Sequence, residues 1–185
     1  PLFVDINGIE GLDLIEEKED SGLRIGALTR HFALETSVSV RDRFPVLHEA
    51  MKHVAHLAIR NRGTIGGSLS HADPAAELPM MAVLLDAKIV AAGPDGEREI
   101  PAGDFFTAPL TTVLAPDEIV VAVDLPGLPA ATGWGFEEFA QRRGDFAVAG
   151  VAALVTREGG TVTNTRIALM GLHDTPVRAR SAEAA

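Results

Sequence analysis

A cluster of helix- and strand-breaking residues, Pro126-Gly127-Leu128-Pro129-Ala130, divides this 185-residue chain into two parts of different character. Proline and glycine at this density mark a loop between ordered regions. The part before the cluster mixes apolar runs of helical and strand period, whereas the part after it carries mainly strand patterns. The sequence therefore predicts two domains, one over residues 1–126 and one over residues 131–185.

The order of elements in the first part favours an α+β fold. Strand-like runs at Leu23–Gly26 and Ile119–Leu125 are separated by helical segments, one of which begins at Pro45. Helices and strands do not alternate as a doubly wound parallel sheet requires, and the Gly-x-Gly-x-x-Gly opening of a Rossmann site is absent. In the second part, residues 148–156 and 162–169 are predicted to form an antiparallel hairpin.

The amino-acid composition argues against several classes of function. The 26 acidic and 16 basic residues give a net charge of −10, which opposes nonspecific binding to nucleic acid or anionic membranes. The chain has no cysteine, so it supplies no disulfide and no thiolate ligands for an iron–sulfur cluster. Its six histidines do not form a ligand pair at the usual metal spacing. No apolar run is long enough to span a bilayer, and a cytoplasmic location is the default prediction.

Both ends of the sequence are predicted to be cut. Residues 2–6 have the composition of a short strand and are followed by the turn signal Asn7-Gly8, so we expect chain to precede them. Residues 178–185 have the composition of a helix that stops after about one or two turns, which is too short to be stable without packing.

The strongest chemical signal is the stretch Arg60-Asn61-Arg62-Gly63-Thr64-Ile65-Gly66-Gly67-Ser68. Its two adjacent glycines have no Cβ, so another group can approach the backbone closely, and hydroxyls flank them on both sides. Exposed backbone N–H groups, hydroxyls and two nearby arginines together match the needs of a phosphate or pyrophosphate. The alternative interpretation is a tight turn between two packed elements.

Two acidic residues follow this stretch. Asp73 and Glu77 offer carboxylates that can accept hydrogen bonds from sugar hydroxyls. Asp73 is also placed to N-cap a helix that has Pro74 in its first turn. Glu77 in the first turn of that helix is favourable with the helix dipole, whatever its other role.

The order of motifs resembles the FAD-binding subunit of the molybdenum hydroxylases, a family that includes the medium subunit of carbon monoxide dehydrogenase and the flavin domain of xanthine dehydrogenase. The resemblance implies the α+β flavin fold of vanillyl-alcohol oxidase and p-cresol methylhydroxylase, followed by a small antiparallel β-rich C-terminal domain. It covers essentially the whole chain and rests on the segments 3–6 with 11–12, 23–29, 60–68, 73–77, 116–119 and 143–147.

The resemblance also implies an FAD site without a catalytic residue of its own. Residues 64–68 match the second FAD loop of the family, which runs along the phosphates and ribityl chain, and Phe146 matches an aromatic position at the isoalloxazine ring. Ser68 departs from the usual Asn, Glu137 falls where some relatives carry Lys, and the family's first Gly-rich loop is not in this sequence. The cofactor-binding residues expected are Thr64, Ile65, Gly66, Gly67, Ser68, Asp73, Glu77, Val120, Phe146 and Val54.

The function implied is that of an electron-transfer subunit. A molybdopterin-binding large subunit and a 2Fe-2S small subunit would be separate chains, and electrons would pass through FAD to an acceptor such as NAD or a quinone. One alternative is a self-contained FAD-dependent oxidoreductase of the same flavin-binding superfamily. Another is a non-catalytic α+β domain whose Gly-Gly stretch is only a turn. The substrate is not indicated by the sequence.

Overall fold

Two antiparallel sheets organise the fold, which is seen in a computed structural model that describes residues 3–185. The helices of this part of the chain are α1 (His31–Thr36), α2 (Val38–Arg43), α3 (Pro45–Met51), α4 (Leu57–Arg60), α5 (Ile65–His71), α6 (Glu77–Leu84), α7 (Ala102–Phe105) and α8 (Arg180–Glu183). The strands are β1 (Ile15–Glu17), β2 (Leu23–Gly26), β3 (Lys88–Gly93), β4 (Gly96–Pro101), β5 (Phe106–Ala108), β6 (Thr111–Thr112), β7 (Ile119–Leu125), β8 (Thr132–Ala140), β9 (Ala147–Glu158), β10 (Thr161–Met170) and β11 (Val177–Arg178).

The first sheet has the strand order β1-β2-β7-β3-β4. Its central strand, β7, is an apolar run buried over nearly its whole length, as expected for a strand covered on both faces. The predicted strands β2 and β7 are confirmed, and they pair so that Ile25 lies opposite Val123. A two-residue turn joins β3 to β4, and Gly96 after that turn adopts a φ of +106°.

The second sheet has the order β11-β10-β9-β8 and follows the breaker cluster. The predicted hairpin is confirmed, with the paired strands β9 and β10 longer than expected. Gly159 and Gly160 connect them with φ values of +56° and +87°, a region that glycine adopts without the steric penalty of a Cβ. The breaker cluster therefore separates a five-stranded antiparallel sheet, which has most of the helices around it, from a four-stranded antiparallel sheet.

Helix α6 joins the two parts of the fold. Residues 78–84 are all buried, because a helix that is apolar on every side needs neighbours on every side. It packs on α3 and α5 from the first part and on β9 and β10 from the second. Helix α3, which begins at Pro45 as predicted, contacts β8 as well.

The predictions for the two chain ends had different outcomes. The predicted strand at the start was wrong for residues 3–6, because a strand needs a partner and none pairs with them within residues 3–185, while Leu2 lies outside the described residues. At the other end, the predicted short helix is confirmed as α8, and it is held by packing and by hydrogen bonding, since Glu183 Oε1 accepts from Ile167 N at 2.7 Å.

No helix within residues 3–185 combines the length and apolar character needed to cross a membrane. The same residues contain no group of three or more His, Asp or Glu side chains arranged to hold a metal ion.

Candidate functional site

A cleft of about 830 Å³ opens beside the Gly-Gly stretch. This volume is within the usual range of sites for small molecules and cofactors. Both parts of the fold contribute to it, because the loop before β9 closes a side that the first sheet and its helices leave open. The lining residues lie within 6–7, 28–31, 54–64, 67–73, 76–77 and 144–146.

Backbone hydrogen bonds fix residues 63–66 against the segment that joins β2 to α1. Several such bonds hold a loop in a single conformation, and a preorganised binding site requires this. The isolated β-bridge between Arg30 and Thr64 is part of the same contact. The bonds, donor first, join His31 N to Gly63 O (3.0 Å), Ile65 N to Thr29 O (3.1 Å) and Gly66 N to Ala27 O (2.8 Å).

The side chain of His31 strengthens this attachment and was missed by the sequence-based prediction. Its ring Nε2 lies 2.9 Å from the carbonyl oxygen of Thr64, so Nε2 is the nitrogen that carries the proton. Burial lowers the pKa of His31 and the charge of Arg60 lowers it further, while the bond to Thr64 opposes both. A neutral His31 therefore holds the loop in place at physiological pH.

The backbone N–H groups of the Gly-Gly stretch are not free to bind a phosphate, contrary to the sequence-based hypothesis. Gly67 N donates to Thr64 Oγ1 at 3.1 Å, and Ser68 N donates to Thr64 O at 3.0 Å. Together with the bonds of Ile65 and Gly66, these occupy all four N–H groups of residues 65–68. The polar groups that this stretch offers to a ligand are the hydroxyls of Thr64 and Ser68, which line the cleft.

The two adjacent glycines have different roles. Gly66 is buried, and a Cβ there would lie 2.5 Å from the Cβ and 2.8 Å from the carbonyl oxygen of Ala27. Gly67 is exposed and lines the cleft, where a Cβ would meet only Thr64 Oγ1 within 4 Å, at 2.9 Å. Gly66 thus permits close packing of α5 on the segment that follows β2, whereas Gly67 keeps space open for a ligand.

The two arginines of this stretch, Arg60 and Arg62, also have different roles. Arg62 is exposed and lines the cleft, so its positive charge is available to a phosphate. Arg60 does not line the cleft and instead pairs with Glu35 at 2.8 Å. A cleft-lining arginine that sequence reasoning missed is Arg30, which donates to the carbonyl of Arg62 and to Asn7 Oδ1.

Asp73 and Glu77 both line the cleft. The prediction that Asp73 N-caps a helix was wrong: its Oδ1 accepts from Ala75 N at 2.9 Å in a turn, and α6 begins at Glu77. Burial raises the pKa of Glu77 to about 7, and the nearby carboxyls of Glu138 and Asp73 also raise it. Near neutral pH, Glu77 is therefore a mixture of a hydrogen-bond acceptor and a protonated donor.

We expect Glu77→Gln to change the pH dependence of stability. The raised pKa means that folding favours the protonated carboxyl, and this stabilisation is complete below the unfolded pKa of 4.5 and lost as pH rises through about 7. Because Gln mimics the protonated form, the variant should gain a few degrees in Tm over wild type at about pH 8 and little at about pH 5. Thermal melts of the two proteins measure this difference.

The matched control for this prediction is Glu158→Gln, because Glu158 is an exposed residue at the end of β9. It should show the same small Tm difference from wild type at both pH values. An equal response of the two variants would mean that Glu77 does not have a raised pKa.

The far wall of the cleft comes from two loops that touch each other. Val54, which is largely buried, and the 70% exposed Phe146 present apolar surfaces to the cleft. Gly144, with a φ of +85°, packs so closely that a Cβ would lie 2.9 Å from both the carbonyl oxygen of Ala55 and the ring of His56. An exposed aromatic ring at the edge of such a cleft is suited to stacking on a planar ligand.

The structure brings together seven of the ten expected cofactor-binding residues. Ile65, Gly66 and Val120 are buried and do not line the cleft; Val120 lies within β7, opposite Ala91 of β3. The residues that line it are Val54, Thr64, Gly67, Ser68, Asp73, Glu77 and Phe146.

Two family descriptions match this chain. Residues 1–128 match the "FAD binding domain in molybdopterin dehydrogenase", and residues 134–185 match the "CO dehydrogenase flavoprotein C-terminal domain". The first match ends within the breaker cluster and the second begins just after it.

The relatives are subunits of dehydrogenases. The chain is 45% identical over 183 residues to the 6-hydroxypseudooxynicotine dehydrogenase complex subunit alpha of Paenarthrobacter nicotinovorans, covering 98% of this chain and 62% of the relative. It is 39% identical over 176 residues to the carbon monoxide dehydrogenase medium chain of Hydrogenophaga pseudoflava, covering 95% of this chain and 61% of the relative. The chain thus spans about three-fifths of the length of these proteins.

A solved structure has the same fold. It is a carbon monoxide dehydrogenase from Hydrogenophaga pseudoflava that lacks the Mo-pyranopterin moiety of its molybdenum cofactor. The TM-score is 0.94 and the sequence identity 41%, and the match covers 97% of this chain and 62% of that one.

Proposed function

This chain belongs to the family of FAD-binding domains of molybdopterin dehydrogenases, and from that membership we propose that it is the electron-transfer subunit of a molybdenum-containing hydroxylase. Its domain binds FAD, and the cleft beside the Gly-Gly stretch is the site we propose for it. Electrons would enter from iron–sulfur clusters on a partner chain and leave to an external acceptor such as NAD or a quinone.

The observation that carries this proposal is the convergence of residues from both parts of the fold on one cleft. Hydroxyls, carboxylates, an exposed arginine and an exposed aromatic ring lie around the same opening, although Val54 and Phe146 are 92 positions apart in the sequence. The exposed Gly67 leaves space at the centre of the polar side. These are the groups that a ligand with phosphates, a sugar chain and a flat ring needs.

The residues of the chain bind and orient rather than react. The Thr64 and Ser68 hydroxyls and the Arg62 guanidinium are donors for phosphate oxygens, and Asp73 and Glu77 accept from sugar hydroxyls. Phe146 shields one face of a flat ring from water. Bound FAD supplies the redox chemistry, so no catalytic base or nucleophile is required from the protein.

The proposed partner subunits are inferred from the absence of cysteine in this chain and from its similarity to dehydrogenase subunits. Without cysteine it cannot ligate an iron–sulfur cluster, so the proposal assigns clusters to a 2Fe-2S small subunit and substrate oxidation to a molybdopterin-binding large subunit. The related subunits of carbon monoxide and 6-hydroxypseudooxynicotine dehydrogenases support this arrangement. The domain division at residues 126 and 131 and the cytoplasmic location are parts of the same proposal.

The test is anaerobic reduction of the complete protein, isolated with the products of its neighbouring genes. We expect those genes to encode a large chain and a Cys-rich small chain, and a substrate of the large chain should bleach the flavin absorbance. The isolated subunit alone should not be reduced by that substrate. Reduction of the isolated subunit would favour the self-contained oxidoreductase, and absence of bound flavin would exclude both.

A further inference from the structure

We infer that Arg60 is a positioning residue of the cofactor site, acting through the wall of the cleft without lining it. This inference rests on the proposed FAD site. The guanidinium is largely buried, with 13% of the side chain exposed, and it makes four contacts at once. They are Nε to Glu35 Oε2 (2.8 Å), Nη2 to Glu35 Oε1 (3.5 Å), and Nη1 to the carbonyl oxygens of Val54 (2.8 Å) and Ala55 (2.9 Å).

The backbone that Arg60 holds is in a conformation that needs external support. Ala55 has a φ of +43°, in the left-handed region that costs a residue with a Cβ about 1–2 kcal/mol. The carbonyl oxygens of Val54 and Ala55 both accept from the Arg60 guanidinium. Glu35 of α1 pairs with the same guanidinium and holds it in place. The ion pair therefore ties the bend to a helix of the first domain.

The bend carries two parts of the cleft wall. Val54 lines the cleft directly, and Ala55 and His56 form the surface on which Gly144 rests. Gly144 precedes Phe146 by two residues in the loop before β9. The contact of Gly144 with Ala55 and His56 therefore fixes the position of the Phe146 ring. A shift of the bend would move Val54 and Phe146 together and open this side of the cleft to water.

Arg98 provides a matched control because it has the same type of contacts elsewhere. It donates to both carboxylate oxygens of Glu118 at 2.6 and 2.8 Å and to the carbonyl of Val113 at 3.1 Å, and it does not line the cleft. Arg→Lys at either position keeps the charge but loses the fork geometry that serves several acceptors at once. The two substitutions thus remove similar contacts, one beside the cofactor site and one away from it.

The test compares Arg60→Lys and Arg98→Lys in the complete protein. The readouts are the dissociation constant for FAD and the visible circular dichroism of bound FAD, which reports the surroundings of the ring. We expect Arg60→Lys to weaken FAD binding about tenfold, as for the loss of one good contact, and to alter the dichroism. Arg98→Lys should leave both unchanged while lowering Tm.

The possible results distinguish failure of the inference about Arg60 from failure of the proposed FAD-binding function. If wild type binds FAD and Arg60→Lys matches Arg98→Lys in affinity and dichroism, Arg60 has only a structural role and the inference is wrong. If Arg60→Lys does not fold, Glu35→Gln replaces it in the same comparison with Arg98→Lys. This substitution weakens the ion pair with Arg60 but retains a side-chain oxygen that accepts a hydrogen bond. If wild type binds no FAD, the proposed function fails and the inference fails with it.

Discussion

Gly66→Val is expected to destabilise the folded protein by about 3 kcal/mol or more, because it forces a branched side chain into a packed site. Its Cβ would lie 2.5 Å from the Cβ of Ala27 and 2.8 Å from that residue's carbonyl oxygen, and backbone atoms cannot move aside as a flexible side chain can. Separation of α5 from Ala27 would also break the 2.8 Å hydrogen bond from Gly66 N. Chemical denaturation of the variant measures the loss.

The control for this prediction is Gly103→Val. Gly103 is also helical, in α7, but it is exposed and a Cβ there would have no heavy atom within 4 Å. Both changes replace glycine by the same β-branched residue, so the difference between them reports the close approach at Ala27. Equal stability of the two variants would contradict the packing role of Gly66.

Gly67→Val is expected to weaken FAD binding about 100-fold, or nearly 3 kcal/mol, while the protein remains folded. The new side chain would occupy cleft space between the Thr64 and Ser68 hydroxyls, and it would displace Thr64 Oγ1, which lies 2.9 Å from the Cβ position. The displaced hydroxyl would no longer cap α5, at a cost of about 1 kcal/mol in stability. Flavin titration and a thermal melt measure the two effects separately.

The control here is Ser70→Val, in the same helix and exposed but outside the cleft lining. It introduces the same side chain into α5 without filling the proposed site. We expect FAD affinity close to wild type in this variant. A similar loss of affinity in both variants would mean that α5 as a whole, rather than the space at Gly67, governs binding.

Much of the fold was predictable because its signals are local. Breakers at residues 126–130, the apolar run of β7 and the two glycines between β9 and β10 each act over a few neighbouring residues. The family resemblance drawn from six motifs is confirmed by the match over residues 1–128. The motifs also located most of the cleft, since Thr64, Gly67 and Phe146 all line it.

The remaining features depend on contacts between distant parts of the chain. Sequence alone gave Gly66 and Gly67 the same role, because the atom that separates them, the Cβ of Ala27, belongs to another segment. Sequence alone likewise did not distinguish Arg60 from Arg62, because the partner of Arg60, Glu35, lies 25 positions earlier in the chain. Strand β1, by contrast, pairs with β2 only a few residues later in the chain, and it was missed because two of its three residues are glutamates, which are uncommon in strands.

The assignment of this cleft as the FAD site is tested by titrating the complete, flavin-free protein with FAD and with FMN, beside Gly67→Val, and following the flavin fluorescence. We expect saturable binding of one FAD per chain, weaker binding of FMN because it lacks the second phosphate and the adenosine, and a large loss of FAD affinity in the variant. Equal FAD affinity of wild type and Gly67→Val, or no saturable binding by wild type, would contradict the assignment of this cleft as the FAD site.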